Sequence, residues 1–301
     1  MKEEKRMLHS CSRMKRDSLL ALIALLIVTV PGGSSAAARS AAVPAASGHH
    51  AAEGIQGQTD SRVKDSRTRR VALIIDDFGN GMKGTDEMFD LPVKITVAIM
   101  PFLSTTEQDA RRAHERGFDV LLHLPMEPRH GKPQWLGPGA VLANMSDAEI
   151  RQRVQAALDN VPYAIGINNH MGSKVTGDKR IMGIVLAVCK ERGLFFVDSR
   201  TNYRSVAGTM AEASGLPRVE NDIFLDDVHT TQHVLKQMLL VGEHAQKHRY
   251  CVTIGHVGIQ GKVTAAGIRG GIAELKDQVE FIGISELVKA EWNWSAGPTL
   301  P

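Results

Sequence analysis

The 301-residue sequence predicts an α/β protein whose parallel strands close into a (β/α) barrel. Three observations carry that expectation. Eight short apolar runs, at residues 71–75, 95–100, 118–122, 164–167, 194–197, 223–225, 251–254 and 280–284, alternate with helical patterns. They occupy about 220 residues, close to the length of roughly 250 that such a barrel uses. The first run, Val71-Ala72-Leu73-Ile74-Ile75, is apolar on both faces, as suits a parallel strand covered by helices. Most of the runs also end in polar residues, and ligands of parallel sheets bind beyond the carboxyl ends of the strands. A doubly wound open sheet is the alternative. Asp76-Asp77-Phe78-Gly79-Asn80-Gly81 lacks the glycine spacing of a dinucleotide fingerprint and the lysine of a P-loop, which argues against a nucleotide site.

Taken in order, residues 1–38 read as a signal peptide. Lys15 and Arg16 provide a positive start, residues 19–30 an apolar run, and Ser35-Ala36-Ala37-Ala38 a small-residue cleavage zone. The run is shorter than the roughly 20 residues that span a bilayer, so an uncleaved signal is the only membrane contact expected. Cys11 precedes the run and does not read as a lipid-attachment site. Residues 39–69 are rich in Ala, Gly, Ser, Gln and Arg without an apolar period, and are expected to form a disordered linker in which His49 and His50 are incidental. A folded body over residues 70–292 and a flexible tail over 293–301 follow. The protein is expected to be exported, in a prokaryote to the periplasm.

The overall charge is +3, but residues 1–70 hold twelve Lys/Arg against six Asp/Glu, leaving residues 71–301 at −3. A mildly acidic body argues against nucleic acid as a partner. Cys189 falls in a helical pattern and Cys251 in a strand pattern, so two free thiols are expected rather than a disulfide. Ser104-Thr105-Thr106-Glu107 and Ser146-Asp147-Ala148-Glu149 each have capping-box spacing at a helix start. Gly117 and Gly193 end two helices. Residues 178–192, 230–248 and 285–292 complete the helical set.

The chemistry begins at Asp76-Asp77. Adjacent carboxylates repel unless a cation or a shared proton relieves them, and one of the two can then act as a base. Later runs lead into His123-Leu124-Pro125-Met126-Glu127, Asn168-Asn169-His170-Met171-Gly172-Ser173-Lys174, Asp198-Ser199-Arg200-Thr201, Asp226-Asp227 and Gly255-His256. Each has a plain structural reading. An Asp pair suits a turn or a helix N-cap, a lone His is commonly a satisfied structural residue, and Asp226-Asp227 reads as the start of a helix. Three histidines at strand ends beside an Asp pair are hard to explain in that way. His114, His229, His233, His244 and His248 fall on polar helix faces and read as solvated.

As a set, in this order, these segments resemble the polysaccharide deacetylases, in particular a divergent branch of bacterial envelopes. The resemblance covers residues 70–290. It implies a distorted (β/α) barrel of seven to eight parallel strands, the NodB-like fold, and a divalent metal, usually zinc, held by one Asp and two His. Asp77 would be the ligand Asp, Asp76 the base and His123 the first ligand His. The main family has a second ligand His where this chain has Glu127, and its Arg-x-Pro-Tyr segment is missing. His170 is therefore expected as the third ligand, with Glu127 as the alternative or as a supporting partner. His256, from the opposite strand, would protonate the leaving group. Asp198 or Arg200 would orient Asp76 or His256, with Glu127, Asn169, Ser173 and Arg200 facing substrate. The implied activity is removal of N- or O-acetyl groups from an envelope polysaccharide or peptidoglycan fragment. A barrel that binds glycan or a protein partner without turnover is the runner-up, and hydrolysis of another amide or ester the third reading. Trp135 could stack on a sugar ring or plug a loop.

Overall fold

The computed structural model describes residues 68–297, with β1 starting at Arg70. The expected signal peptide, and the linker up to residue 67, lie outside the described residues. Nine strands are present in this region: β1 (Arg70–Phe78), β2 (Thr96–Ile99), β3 (Asp119–Met126), β4 (Ala164–Met171), β5 (Phe195–Asp198), β6 (Val219–Glu220), β7 (Ile223–Phe224), β8 (Tyr250–His256) and β9 (Glu280–Ile282). Eight match the expected runs, and the two-residue β6 is the addition. The helices are α1 (Thr85–Phe89), α2 (Thr106–Glu115), α3 (Asp147–Asn160), α4 (Lys179–Glu191), α5 (Ala207–Ala213), α6 (Thr231–His248), α7 (Gly261–Leu275) and α8 (Ile284–Trp292). Among the described residues no helix is long and apolar enough to cross a membrane.

All strand pairings are parallel, in the order β6-β5-β4-β3-β2-β1-β8-β7. β1 shares one edge between two partners: β9 pairs with Arg70–Ala72, and β2 takes over from Ile74 onward. β6 and β7 lie at opposite ends of this order yet are separated in sequence only by Asn221 and Asp222. The chain therefore crosses from one edge of the curled sheet to the other without a hydrogen-bonded ladder between them. The strand pattern anticipates the barrel, and the open seam is the distortion that the family resemblance implies.

The apolar run of β1 is continuous because both faces are buried. Val71, Leu73 and Ile75 pack in the layer between sheet and helices, while Ala72 and Ile74 join Leu121, Phe195, Val197, Val252 and Ile254 inside the curl. That alternation is the period of two expected of a strand. Ile284, Leu287 and Val288 of α8 belong to the inner cluster. Glu291 at its end binds Arg70 at 3.0 Å, and Trp292 packs on Tyr250. α8 thus closes the end where strands begin and leaves the carboxyl ends free. The segment expected as a tail starts against this floor, with Trp294 edge-on to Phe195 and Gly297 N–H donating to Gly193 O at 2.7 Å.

Two local expectations are corrected. Ser146 and Glu149 form the capping box of α3, but α2 is capped by Thr105 with no side-chain cap bond. Its hydroxyls are engaged elsewhere: Ser104 Oγ donates to Asn80 and Thr105 Oγ1 to Asp109. The glycine-rich α7 is missing from the expected helical set, and four of its fifteen residues are glycine. They are there for packing. A Cβ at Gly267 would lie 2.5 Å from Val234 Cβ and 2.9 Å from Thr231 O of α6, whereas one at Gly270 meets only Leu235 Cδ1 at 3.6 Å.

The consequence is a pair of opposite signs. Gly to Ala in a helix ordinarily gains about 1 kcal/mol, and Gly270→Ala is expected to raise the melting temperature accordingly. Gly267→Ala is expected to lower it, since overpacking costs about 1–3 kcal/mol and outweighs the propensity gain. Thermal unfolding of both variants followed by circular dichroism checks the difference.

Candidate metal centre and its acid and base

Asp76 and Asp77 lie at the end of β1, where the register with β2 shifts between Ile75 and Phe78. Asp77 has φ +70°, a left-handed conformation that Asp tolerates better than most residues. Such a bulge breaks the alternation of a strand and re-aims a side chain. It allows two consecutive carboxylates to reach one site. The turn beyond is held by Asp109, whose Oδ2 accepts from Gly79 N–H at 2.9 Å.

His123 and His170 come from β3 and β4, within those strands rather than after them. The register sets His123 opposite Asn168 and Pro125 opposite His170. Asp77 Oδ1 lies 3.2 Å from His123 Nε2 and 2.9 Å from His170 Nδ1, and the two ring nitrogens are 3.2 Å apart. Each ring is fixed from its far side. Asn168 Nδ2 donates to Asp76 Oδ1 at 2.8 Å, which turns the Asn168 carbonyl oxygen toward His123 Nδ1 at 2.9 Å. His170 Nε2 is 3.0 Å from Trp135 O. Since an amide or peptide oxygen only accepts, His123 carries its proton on Nδ1 and His170 on Nε2.

In the neutral rings the inward nitrogens, His123 Nε2 and His170 Nδ1, therefore present lone pairs to a carboxylate oxygen, and only a second proton on a ring turns them into donors. Asp77 Oδ1 is buried and has no directed hydrogen-bond donor. Three mutually repelling donor atoms in a triangle with edges of 2.9–3.2 Å fit a cation with bonds of about 2.0–2.2 Å. Oriented imidazoles with a partner on the other nitrogen are what metal sites use to fix their ligands. The donor set of two nitrogens and one oxygen fits zinc or a similar divalent ion.

The remaining titratable groups are arranged around this triangle. Asp76 is fully buried, which pushes its carboxyl up, against the lowering by His123 and His256. Burial acts against the charge of Asp77 as well, but His123 and His170 hold its carboxyl well below the usual range. Burial disfavours a charged His123, yet Asp76 and Asp77 raise it overall. A cation would compete with that proton, so binding should release it.

His256 stands on the other flank of β1. It is not across the barrel as expected, but on the neighbouring β8, paired in register with Asp76. Asp226 holds it twice, through His256 Nδ1 and N–H, each at 2.9 Å, and also accepts from Thr264 Oγ1 at 3.0 Å. Burial disfavours the imidazolium, but the bond and charge of Asp226, helped by Asp77 and Asp76, push His256 up to about 10. Two clefts of about 320 and 380 Å³ meet here and share Asp77, Phe224 and His256 as lining.

Of the other expected site residues, Asn169, Ser173 and the backbone around them line the smaller cleft. Asn169 itself is tied to Ser199 N–H and Met171 O, and Ser173 Oγ accepts from Arg129 N–H. Three expectations are corrected. Glu127 is not beside the triangle, because its carboxylate pairs with Lys174 and accepts from Ala143 N–H at 2.7 Å. Asp198 orients neither Asp76 nor His256, because its Oδ1 accepts from Arg200 N–H at 2.8 Å. Arg200 pairs with Glu220 at 3.0 Å. The orienting roles fall to Asn168 and Asp226 instead. Asp226 does not start a helix, and its position just past the end of an apolar run was the available signal. Trp135 enters by its carbonyl, which no sequence pattern announces, while the residue as a whole is 58% exposed.

The geometry gathers two His and one Asp at the carboxyl edge of a parallel curled sheet, with a buried carboxylate beside them and a histidine on the adjacent strand. Residues 73–288 match the family described as divergent polysaccharide deacetylase, and the chain belongs to that family. It is 34% identical over 222 residues to an uncharacterized protein of Haemophilus influenzae Rd, covering 74% of this chain and 78% of that one. It is also 34% identical over 187 residues to the uncharacterized protein YibQ of Escherichia coli K12, covering 62% and 58% respectively. The fold is similar to the crystal structure of an uncharacterized protein of Agrobacterium tumefaciens C58, with 22% identity and a TM-score of 0.68 over 74% of this chain and 90% of that one.

Proposed function

We propose that this protein is a metal-dependent deacetylase that removes acetyl groups, foremost N-acetyl groups, from an envelope polysaccharide or peptidoglycan fragment. The observation that carries the reading is the buried Asp77 Oδ1 without a donor, facing two imidazole lone pairs. Asp77, His123 and His170 would hold the cation. When bound, a zinc-like ion supplies Lewis acidity that acidifies water and offsets negative charge on an acyl oxygen.

Asp76 accepts the proton of the attacking water. Its burial makes it a stronger base than an exposed Asp, and Asn168 keeps it oriented through Oδ1. His256, kept charged at neutral pH by Asp226, gives its proton to the departing amine nitrogen as the C–N bond breaks. Acetic acid, which ionises to acetate in solution, and a free amine result, and one proton has moved from water to Asp76 and one from His256 to the amine. Export, with cleavage after a signal over residues 1–38, would bring the enzyme to such a substrate. N-terminal sequencing of the mature protein checks that step.

The test is acetate release from N-acetylated chito-oligomers and peptidoglycan fragments by zinc-loaded and chelator-treated protein. Zinc-dependent release is expected. Binding of these glycans with no release would favour the non-catalytic reading, which draws on the departures at Glu127 and the missing Arg segment.

A pH profile tests the acid. Removing the charge of Asp226 removes the main influence that raises His256, so its pKa falls. Because the acid must be protonated, the alkaline limb of kcat/KM for Asp226→Asn is expected to move to lower pH than in wild type. An unmoved limb would take His256 out of the acid role.

A further inference from the structure

A second group of metal-ligating side chains lies away from the site described above. Asp222 is in the two-residue crossing between β6 and β7, His244 is near the end of α6, and Cys251 is the second residue of β8. Each offers a donor atom, and the three atoms lie within 4.8 Å of one another. His244 Nε2 is 3.6 Å from Asp222 Oδ1. The other carboxylate oxygen, Oδ2, accepts from Val252 N–H at 2.8 Å, which fixes the carboxylate against β8. His248, one helical turn beyond His244, lies over it with ring centroids 4.3 Å apart. An i, i+4 pair of histidines shares one helix face. The Cys251 thiol is fully buried and makes only a weak 3.8 Å contact to a carbonyl, while the His244 and Asp222 side chains remain 29% and 24% exposed. A solvated cation can therefore approach the thiol from the side of His244 and Asp222.

We propose that Asp222, His244 and Cys251 form a second cation site, selective for thiophilic divalent ions such as Zn2+ or Co2+. The donor set of sulfur, imidazole nitrogen and carboxylate oxygen suits such ions and not Mg2+ or Ca2+. On binding, the Cys251 thiol loses its proton to solvent and its sulfur becomes a ligand. The position explains the use. The crossing at Asn221 and Asp222 is where the curled sheet lacks a ladder, and an ion there ties the crossing to α6 and β8. Ligand binding to the folded state alone stabilises it by mass action, so the ion would act as a clasp on the seam.

Sulfur separates this site from the catalytic one, whose donors are nitrogen and oxygen only. Metal-free full-length protein with reduced thiols is titrated with Co2+, and the near-ultraviolet sulfur-to-cobalt charge-transfer absorption is read. Wild type is expected to develop the band, and His170→Ala and Cys189→Ser to retain it. Cys251→Ser and the partly exposed His244→Ala are expected to lose it together with one equivalent of bound Co2+. Mg2+ should not compete. A folded wild type saturated with Co2+ that shows no such band overturns the proposal, as does a band that survives in Cys251→Ser.

Discussion

His170→Ala is expected to leave the purified protein with little bound divalent metal at the cluster of Asp77, His123 and His170, whereas Glu127→Ala retains it. The triangle of Asp77 Oδ1, His123 Nε2 and His170 Nδ1 supplies three donors at 2.9–3.2 Å from one another. Even the loss of an outer partner of a ligand costs about 10–100-fold in metal affinity, so the loss of a ligand itself should cost more. The Glu127 carboxylate is committed to Lys174 and Ala143 N–H. Its removal should loosen the loop there and leave the donors in place. Elemental analysis of protein purified after equilibration with zinc distinguishes the two, with Cys251→Ser as background so that sulfur-bound ion does not obscure the count. Full occupancy in His170→Ala and loss in Glu127→Ala would reassign the third ligand.

Asp76→Asn is expected to lower acetate release by roughly 10²–10⁴-fold, the usual contribution of a general base, with metal content unchanged. The substitution is conservative in this structure. Asp76 Oδ1 accepts from Asn168 Nδ2 at 2.8 Å, and an amide oxygen can accept the same bond, so Asn168 keeps its hold on His123. What the amide cannot do is take a proton from water. Activity within a few-fold of wild type, with metal retained, would remove Asp76 as the base. Loss of metal as well as activity would mean that Asp76 contributes to the cation site, and the two measurements must be made on the same preparation.

The sequence by itself determined the curled parallel sheet and singled out five groups that the fold brings to one edge. Eight of the nine strands are short apolar runs with β-type composition, and parallel strands bring their carboxyl ends to one edge whatever their partners. Asp76, Asp77, His123, His170 and His256 could be singled out because each is a chemically capable residue at such an end. Cys189 and Cys251 could be read as free thiols for the same local reason, and they are.

Partners were beyond its reach. Asn168 and Asp76 are 92 residues apart, and only the register of β3 on β4 and the bulge of β1 bring amide and carboxylate to 2.8 Å. Asp226 is 30 residues from His256 and lies beside it because β7 pairs with β8, although Asp226-Asp227 before Thr230 looks locally like a helix start. Glu127 and Asp198 were misassigned for the converse reason. Both stand near the right strand ends, but a lysine, a backbone N–H and a loop turn take their carboxylates first. α7 was hidden because the contact with α6 at Val234 overrides the helix propensity of glycine. Local sequence carries residue chemistry and periodicity, which decide element type and which groups can act. Hydrogen-bond partners depend on register across strands distant in the chain, and that is fixed only when the whole core packs.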